Sequence, residues 1–170
     1  DTFDLSEQEH KMLMTKINDI ISEEDIDGII LQDYNKGVLT ESLIREVVEL
    51  CNKNDIPVGV DPKKKNFLSY KNVTFFKPNL KELKEGIGTN TKNDEIEDII
   101  KAADILQEKL KCRYIMTTLS ERGVIIKDYE TGTYHHIPAH IRKIADVSGA
   151  GDTVLSVAML CLVCKQNAYN

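Results

Sequence analysis

Gly28-Ile29-Ile30-Leu31-Gln32-Asp33-Tyr34 is a short apolar run that arrives at polar residues, and Ile56-Pro57-Val58-Gly59-Val60-Asp61-Pro62 repeats the arrangement further on. Between them, Thr40 has the chemistry of a helix N-cap, and Leu43, Ile44, Val47, Val48 and Leu50 follow at helical spacing. Short apolar strands alternating with amphipathic helices build βαβ units, hence a mostly parallel sheet with helices on both faces.

The same alternation extends in both directions. Upstream, Ser6 and Glu9 form a capping-box pattern ahead of Leu13, Ile17, Ile20 and Ile21. Downstream, Val73 to Phe76 predicts a third strand, followed by Lys77-Pro78-Asn79 and a short helix over Leu80 to Glu85 that Gly86 ends. Asn93 can cap a long helix with Ile96, Ile99, Ile100, Ala103, Leu106 and Leu110 on one face. Tyr114 to Thr118 reads as a fourth strand. Val124 to Tyr129 and Thr133 to Ile137 flank Glu130-Thr131-Gly132 as an antiparallel hairpin, and Gly149 to Cys164 reads as an apolar helix. The expected fold is α/β in three layers, with the hairpin near 124–137, and 1–170 as a single unit.

In such sheets the ligand site lies beyond the carboxyl ends of the strands. The polar clusters Asp33 to Lys36, Asp61 to Lys63, Asn79 to Glu82 and Thr118 to Arg122 all fall there. One site fed by successive strand ends explains them together, although any one cluster is equally well a loop that faces water.

Bulk properties narrow the partners. The hydrophobic and charged fractions, 41% and 29%, are those of an ordinary globular domain. A net charge of -6 speaks against nucleic acid or an anionic membrane as the main partner. No apolar run approaches the roughly 18 residues that a membrane span requires. Asp1-Thr2-Phe3-Asp4-Leu5 has neither the basic nor the apolar part of a signal peptide, so the four cysteines are expected as reduced thiols and the location as cytoplasmic. The chain lacks an initiator Met and stops at Asn167-Ala168-Tyr169-Asn170, just after an apolar helix, as a piece of a longer polypeptide would.

The chemistry concentrates in Asp146-Val147-Ser148-Gly149-Ala150-Gly151-Asp152-Thr153, which runs into the last helix. Gly149 and Gly151 let the backbone approach a ligand, and the first helical turn presents unpaired N–H groups at the positive end of the dipole. Gly149, Ala150 and Gly151 are thus a candidate anion hole for a transferring phosphoryl group. A carboxylate in that turn binds phosphate poorly; Asp152 is suited to take a proton from a hydroxyl placed beside the hole. No Gly-Lys-Ser/Thr follows, so this is not a Walker A loop. Taken alone, the segment is equally well a glycine turn whose Asp satisfies the dipole.

The segment resembles the carboxy-terminal signature Asp-Thr-x-Gly-Ala-Gly-Asp of the ribokinase-like (PfkB) carbohydrate kinases. Asn79-Leu80-Lys81-Glu82 is similar to the family's Asn-x-x-Glu motif, which implies ATP with Mg²⁺ held through water near Asn79 and Glu82. Thr117-Thr118-Leu119-Ser120-Glu121-Arg122-Gly123 resembles the nucleotide-side Thr-Leu-Gly-x-x-Gly strand end, with Ser120 in place of the first glycine. The resemblance assigns Asn79, Leu80, Lys81, Glu82, Thr118, Ser120 and Gly123 to the nucleotide, and Asp152 to the role of base. Asp33-Tyr34-Asn35-Lys36-Gly37-Val38-Leu39, Val60-Asp61-Pro62-Lys63 and Lys77-Pro78-Asn79 narrow the similarity to the D-glycero-β-D-manno-heptose 7-phosphate kinases. Gln32 stands there for the usual Ser, and Lys64 for a glycine. Asp33, Lys36, Asp61 and Lys63 become candidates for substrate or phosphate contacts, the two lysines being equally well solvated surface groups.

That family also implies that sugar-binding strands and a lid precede this region, that a short segment follows it, and that this chain alone has weak or absent activity. Its partners would be a sugar phosphate and ATP, with a homodimer open for the full-length protein. Two alternatives stay open: another PfkB-type kinase acting on ribose, fructose or a nucleoside, and a non-catalytic nucleotide-binding module of the same fold. Other features have plainer accounts. Cys161 and Cys164 are expected as buried thiols in a helix whose Leu160, Leu162 and Val163 are core. His135, His136 and His140 are not expected to share a metal, because adjacent strand residues face opposite ways. Lys63-Lys64-Lys65 is expected as a solvated loop with one phosphate-facing lysine.

Overall fold

The computed structural model describes residues 4–89, 95–139 and 149–164, with Ala150 described by its backbone alone. The Asn93 cap, His140, Asp146-Val147-Ser148 and both chain ends fall outside the described residues. The elements are α1 (Glu7–Glu23), β1 (Ile29–Gln32), α2 (Glu41–Lys53), β2 (Val58–Asp61), β3 (Phe75–Phe76), α3 (Leu80–Ile87), α4 (Ile96–Leu110), β4 (Tyr114–Thr118), β5 (Val124–Asp128), β6 (Tyr134–Ile137) and α5 (Ala150–Val163).

The strands form one sheet in chain order, β1 to β6. β1 to β4 are parallel, and β5 and β6 complete it as the antiparallel pair expected from the hairpin pattern. A parallel sheet that grows in one direction through right-handed crossovers puts its crossover helices on one face. The larger core lies there: Leu43, Ile44, Val47 and Val48 of α2, Leu83 of α3 and Leu106 and Leu110 of α4 are buried with Leu31, Val60 and Ile115 of the sheet. The opposite face needs a helix from elsewhere in the chain, and α5 supplies it. Its Leu155, Ala158 and Met159 bury against Phe75, Tyr114, Met116 and Ile126, a second core cluster. The outcome is three layers, α/β/α.

Most helix boundaries follow local chemistry. Ser6 and Glu9 close the reciprocal capping box of α1, and the Thr40 hydroxyl accepts the Leu43 N–H at the start of α2. β3 is shorter than expected, because only Phe75 and Phe76 pair on both sides. Gly86 does not end α3. The helix runs to Ile87 and is capped by Gly88 in the left-handed region (φ 72°). Gly86 sits inside the helix with the Phe67 ring packed directly over its Cα, so no side chain fits there. Gly59 has the same function on the opposite face, where an added Cβ would lie 2.6 Å from Met159 Sδ.

The outer side of α5 departs from the expectation of an apolar core helix. Leu160 is 61% exposed and Cys164 is exposed, while Cys161, Leu162 and Val163 are half-buried. One helix on one sheet face buries only its inner stripe, which here is Leu155, Ala158 and Met159. Cys51 and Cys112 are the thiols in the core, and burial pushes them up to about 11 and about 12.

Gly86→Ala tests this packing by the sign of its effect. Glycine to alanine in a helix interior ordinarily stabilises by about 0.5–1 kcal/mol. Overpacking against Phe67 should instead lower the unfolding free energy by about 1–3 kcal/mol in urea titrations.

Candidate active site

The register of the parallel strands sets three polar side chains in a lateral row. Gln32 pairs with Asp61, and Val60 pairs with Phe76, which puts Lys77 next in line beside Asp61. Alternation along the strands turns these three residues toward α5, and their alternating neighbours Leu31 and Val60 into the larger core. Asp61 Oδ2 and Lys77 Nζ are 3.0 Å apart and both groups are nearly inaccessible, at 4% exposure each. They lie directly beneath the first turn of α5: a Cβ on Gly151 would come to 3.3 Å from Lys77 Nζ and 3.6 Å from Asp61 Oδ2. A buried ammonium thus stands under the helix end that already carries positive partial charge.

Gly149 precedes α5 with φ 77°, and its carbonyl accepts the Thr153 N–H at 3.0 Å. The Asp152 carboxylate points back over the row. Its Oδ1 accepts from Gln32 Nε2 at 3.0 Å and its Oδ2 from Tyr34 Oη at 3.1 Å. The hydrogen bond to Asp152, and then that group's charge, raise the Tyr34 phenol above its ordinary value. Asp152 therefore reaches the strand ends by way of two neutral donors, both contributed by β1 and the loop after it.

Asn79 and Glu82 sit at the next strand end. Asn79 Oδ1 accepts the Glu82 N–H and Glu82 Oε2 accepts the Asn79 N–H, each at 2.8 Å, so the Asn-x-x-Glu motif is itself the capping box of α3. Glu82 Oε1 takes a hydrogen bond from Lys63 Nζ at 3.0 Å, and Lys63 also lies 3.7 Å from Asp61. Partial burial disfavours the Lys63 ammonium, but Glu82 and Asp61 outweigh it and raise its pKa. Lys63 thereby links the Asn79–Glu82 corner to the Asp61–Lys77 pair. Thr118 is brought alongside through a bridge to Asn79, its N–H donating to the Pro78 carbonyl at 3.1 Å.

The remaining expected site residues are placed as follows. Ser120 adopts φ 56°, the left-handed conformation that the missing glycine would have provided, and the turn is preserved at a cost in strain. Gly123 (φ 89°) packs against the Ile137 carbonyl and Ala139, leaving no room for a side chain. Leu80 packs on the larger core and Lys81 pairs with Glu85, so neither side chain joins the row. Lys36 is exposed on the loop after β1. Asp33 is buried and accepts from Tyr70 Oη at 2.8 Å and from the Asn35 N–H at 2.6 Å. Its carboxylate shapes the loop that carries Tyr34, away from Asp152. Lys64 and Lys65 face Glu85 and Asp4, so the lysine run is a set of ion pairs rather than a free cationic loop.

Two residues of the row, Lys77 and Gln32, and Tyr34 beside it escaped sequence reading as site residues. The signal for Lys77 is a lone lysine closing a fully apolar strand. For Gln32 and Tyr34 it is strand parity, which sets both on the face opposite Leu31 and Asp33.

The three-layer α/β domain brings a glycine turn, an acidic helix start and an Asn-x-x-Glu corner together at the ends of parallel strands. Residues 6–168 match the pfkB family carbohydrate kinase profile, and the chain belongs to that family. Curated relatives include the "Bifunctional protein HldE" of Campylobacter curvus, 38% identical over 139 residues, 82% of this chain and 29% of that protein. The protein of the same name from Rhodopseudomonas palustris is 42% identical over 136 residues, 80% of this chain and 27% of that one. The chain thus spans less than a third of the length of these relatives. Among solved structures, phosphofructokinase-2 from Escherichia coli in complex with potassium superposes with a TM-score of 0.82 at 19% identity, over 98% of this chain and 52% of that one. Arabidopsis thaliana ribokinase complexed with ribose and ATP gives 0.72 at 17% identity, over 98% and 49%. At these identities the structural likeness speaks for the fold.

The buried pair offers a stability test. Asp61→Asn leaves the Lys77 ammonium enclosed without a counter-charge and should cost about 3–5 kcal/mol in urea unfolding. A loss below about 1 kcal/mol would mean that water reaches Lys77 (the ordinary result for an exposed pair).

Proposed function

We propose that the chain carries the phosphoryl-transfer centre of an ATP-dependent sugar kinase, with the anomeric hydroxyl of D-glycero-β-D-manno-heptose 7-phosphate as acceptor. The observation that supports this best is the position of Asp152, held over the row of strand ends in the first turn of α5 by Gln32 and Tyr34. The heptose acceptor rests on the Asp33–Leu39, Val60–Lys63 and Lys77–Glu82 segments, and on the similarity to the HldE proteins.

In this reading Asp152 accepts the proton of the acceptor hydroxyl while that oxygen attacks the γ-phosphorus of ATP in line. The backbone amides from Gly149 to Gly151 and the Lys77 ammonium beneath them face the charge that spreads over the transferring group. Because Lys77 is already fixed by Asp61, it needs no reorganisation as that charge develops. Asn79 and Glu82 offer hard oxygens one helical turn apart, engaged by N–H groups and Lys63 but with lone pairs to spare, a donor set that fits Mg²⁺ retaining its water shell. The metal would neutralise phosphate charge. The chain's own residues supply the rest: orientation of the carboxylate, the anion hole and the proton acceptor. Lys36 and Lys63 serve as auxiliary phosphate contacts, Lys63 from its ion pair with Glu82. A nucleotide-binding module without catalysis is the weaker alternative, since decay would be expected to reach Asp152 first.

The test is Asp152→Asn in the full-length protein. Nucleotide binding should be retained and turnover should fall by on the order of a thousandfold or more, measured as ADP release with heptose 7-phosphate. Near-normal turnover would remove Asp152 from its role. A panel of heptose 7-phosphate, ribose and fructose separates the acceptors, and transfer to ribose alone would replace the heptose assignment by another pfkB kinase.

A further inference from the structure

A base that acts on an acceptor hydroxyl has to receive an O–H donor at about 2.6–3.2 Å. Asp152 already receives one. Tyr34 Oη lies 3.1 Å from Oδ2, the same chemical group at the same reach as the acceptor it is built to activate. The two donors on this carboxylate are not equivalent. Gln32 is the half-buried last residue of β1, fixed by pairing with β2, and it holds Oδ1. Tyr34 is 60% exposed on the loop after β1, and its hydroxyl's hydrogen bond is to Oδ2. Around that loop Asn35 and Gly37 both have positive φ, and Asp33 is anchored to Tyr70, so the backbone beneath Tyr34 is set while its ring is open to water.

We propose that Tyr34 is a placeholder for the acceptor: its hydroxyl holds Oδ2 of Asp152 until the substrate hydroxyl displaces it, while Gln32 keeps the carboxylate oriented throughout. The proposal rests on the reading of Asp152 as the base. The carboxylate is thus already aimed by Gln32 and Tyr34, and the entering acceptor exchanges one O–H donor for another. No bond is made or broken in the exchange; one hydrogen bond replaces another, and the phenol swings into solvent. Tyr34 is therefore a positioning residue, whose side chain leaves before transfer. The charged and titratable groups around the contact are Tyr34 itself from the β1 end, Asp61 and Lys77 across Gly151 from the β2 and β3 ends, and Lys63 beyond Asp61.

Two measurements on the full-length protein test this, with Tyr34→Phe keeping the ring and removing only the hydroxyl. The first is ultraviolet titration of the phenol, isolated as the difference between wild type and Tyr34→Phe. Tyr34 should titrate above an ordinary tyrosine in the empty protein. It should move down toward the ordinary value both in Asp152→Asn and on saturation with heptose 7-phosphate. The second is steady-state kinetics. Removing the competing donor should lower the acceptor KM by about two- to tenfold, the size of one net hydrogen bond, with KM rather than kcat carrying the larger change. A Tyr34 that stays on Asp152 as a purely structural contact would keep its raised titration on saturation with heptose 7-phosphate, and a Tyr34 that binds the sugar would raise KM; either result overturns the proposal while Asp152 stays essential. Normal turnover by Asp152→Asn would instead remove the kinase reading, and the placeholder with it.

Discussion

The ion pair between Asp61 and Lys77 is the constraint on which the site depends. It joins the carboxyl ends of β2 and β3, is nearly closed to water, and lies under Gly151 at the entry to α5. Two charges taken out of water contribute little net stability as a pair, but neither tolerates the loss of the other. The α5 entrance therefore has a fixed electrostatic floor, a buried ammonium and a buried carboxylate held against each other. Lys63 extends this floor to Glu82, so the helix-capping corner at Asn79 and the turn at Gly149 share one connected set of charges.

Seating α5 on that floor requires a close fit on the sheet. Gly59 leaves the space that Met159 fills, and Leu155 is completely buried beside it. A buried leucine contributes about 1.5–3 kcal/mol, enough to favour one placement of the helix over another shifted along the sheet. That placement decides whether Asp152 meets Gln32 and Tyr34 or points into solvent. Packing on the apolar side of α5 and hydrogen bonding at its polar start are in this way parts of one geometric solution.

Several motif residues have a structural role in the fold. Asn79 and Glu82 cap α3 reciprocally, and Asp33 closes a loop through Tyr70 and Asn35. Ser120 holds a left-handed turn in place of the glycine usual in the resembling family, which preserves the backbone path while adding a side chain at an exposed strand end. Motif matching recognised the positions; it could not separate an aspartate that faces the cleft from one that supports it. Asp61 closes β2 in register with Gln32 and joins the row, whereas Asp33 lies one residue beyond β1 and faces the other way, to Tyr70.

What the amino-acid sequence determined by itself is the alternation of strands and helices, the antiparallel pair, the helix caps at Ser6 and Thr40, and the acidic glycine turn opening the last helix. These are properties of neighbouring residues: apolar periodicity, cap chemistry and turn geometry act over a few positions and can be read along the chain. Tertiary structure decided that Gln32, Asp61 and Lys77 form one row, that Gly86 serves Phe67 rather than ending a helix, and that Asp152 rests between Gln32 and Tyr34. Those outcomes depend on strand register and on where α5 lands, the second set by contacts of Asp152 with residues 118 and 120 positions away. No local pattern encodes such a distance; it is fixed only when the second face of the sheet is covered.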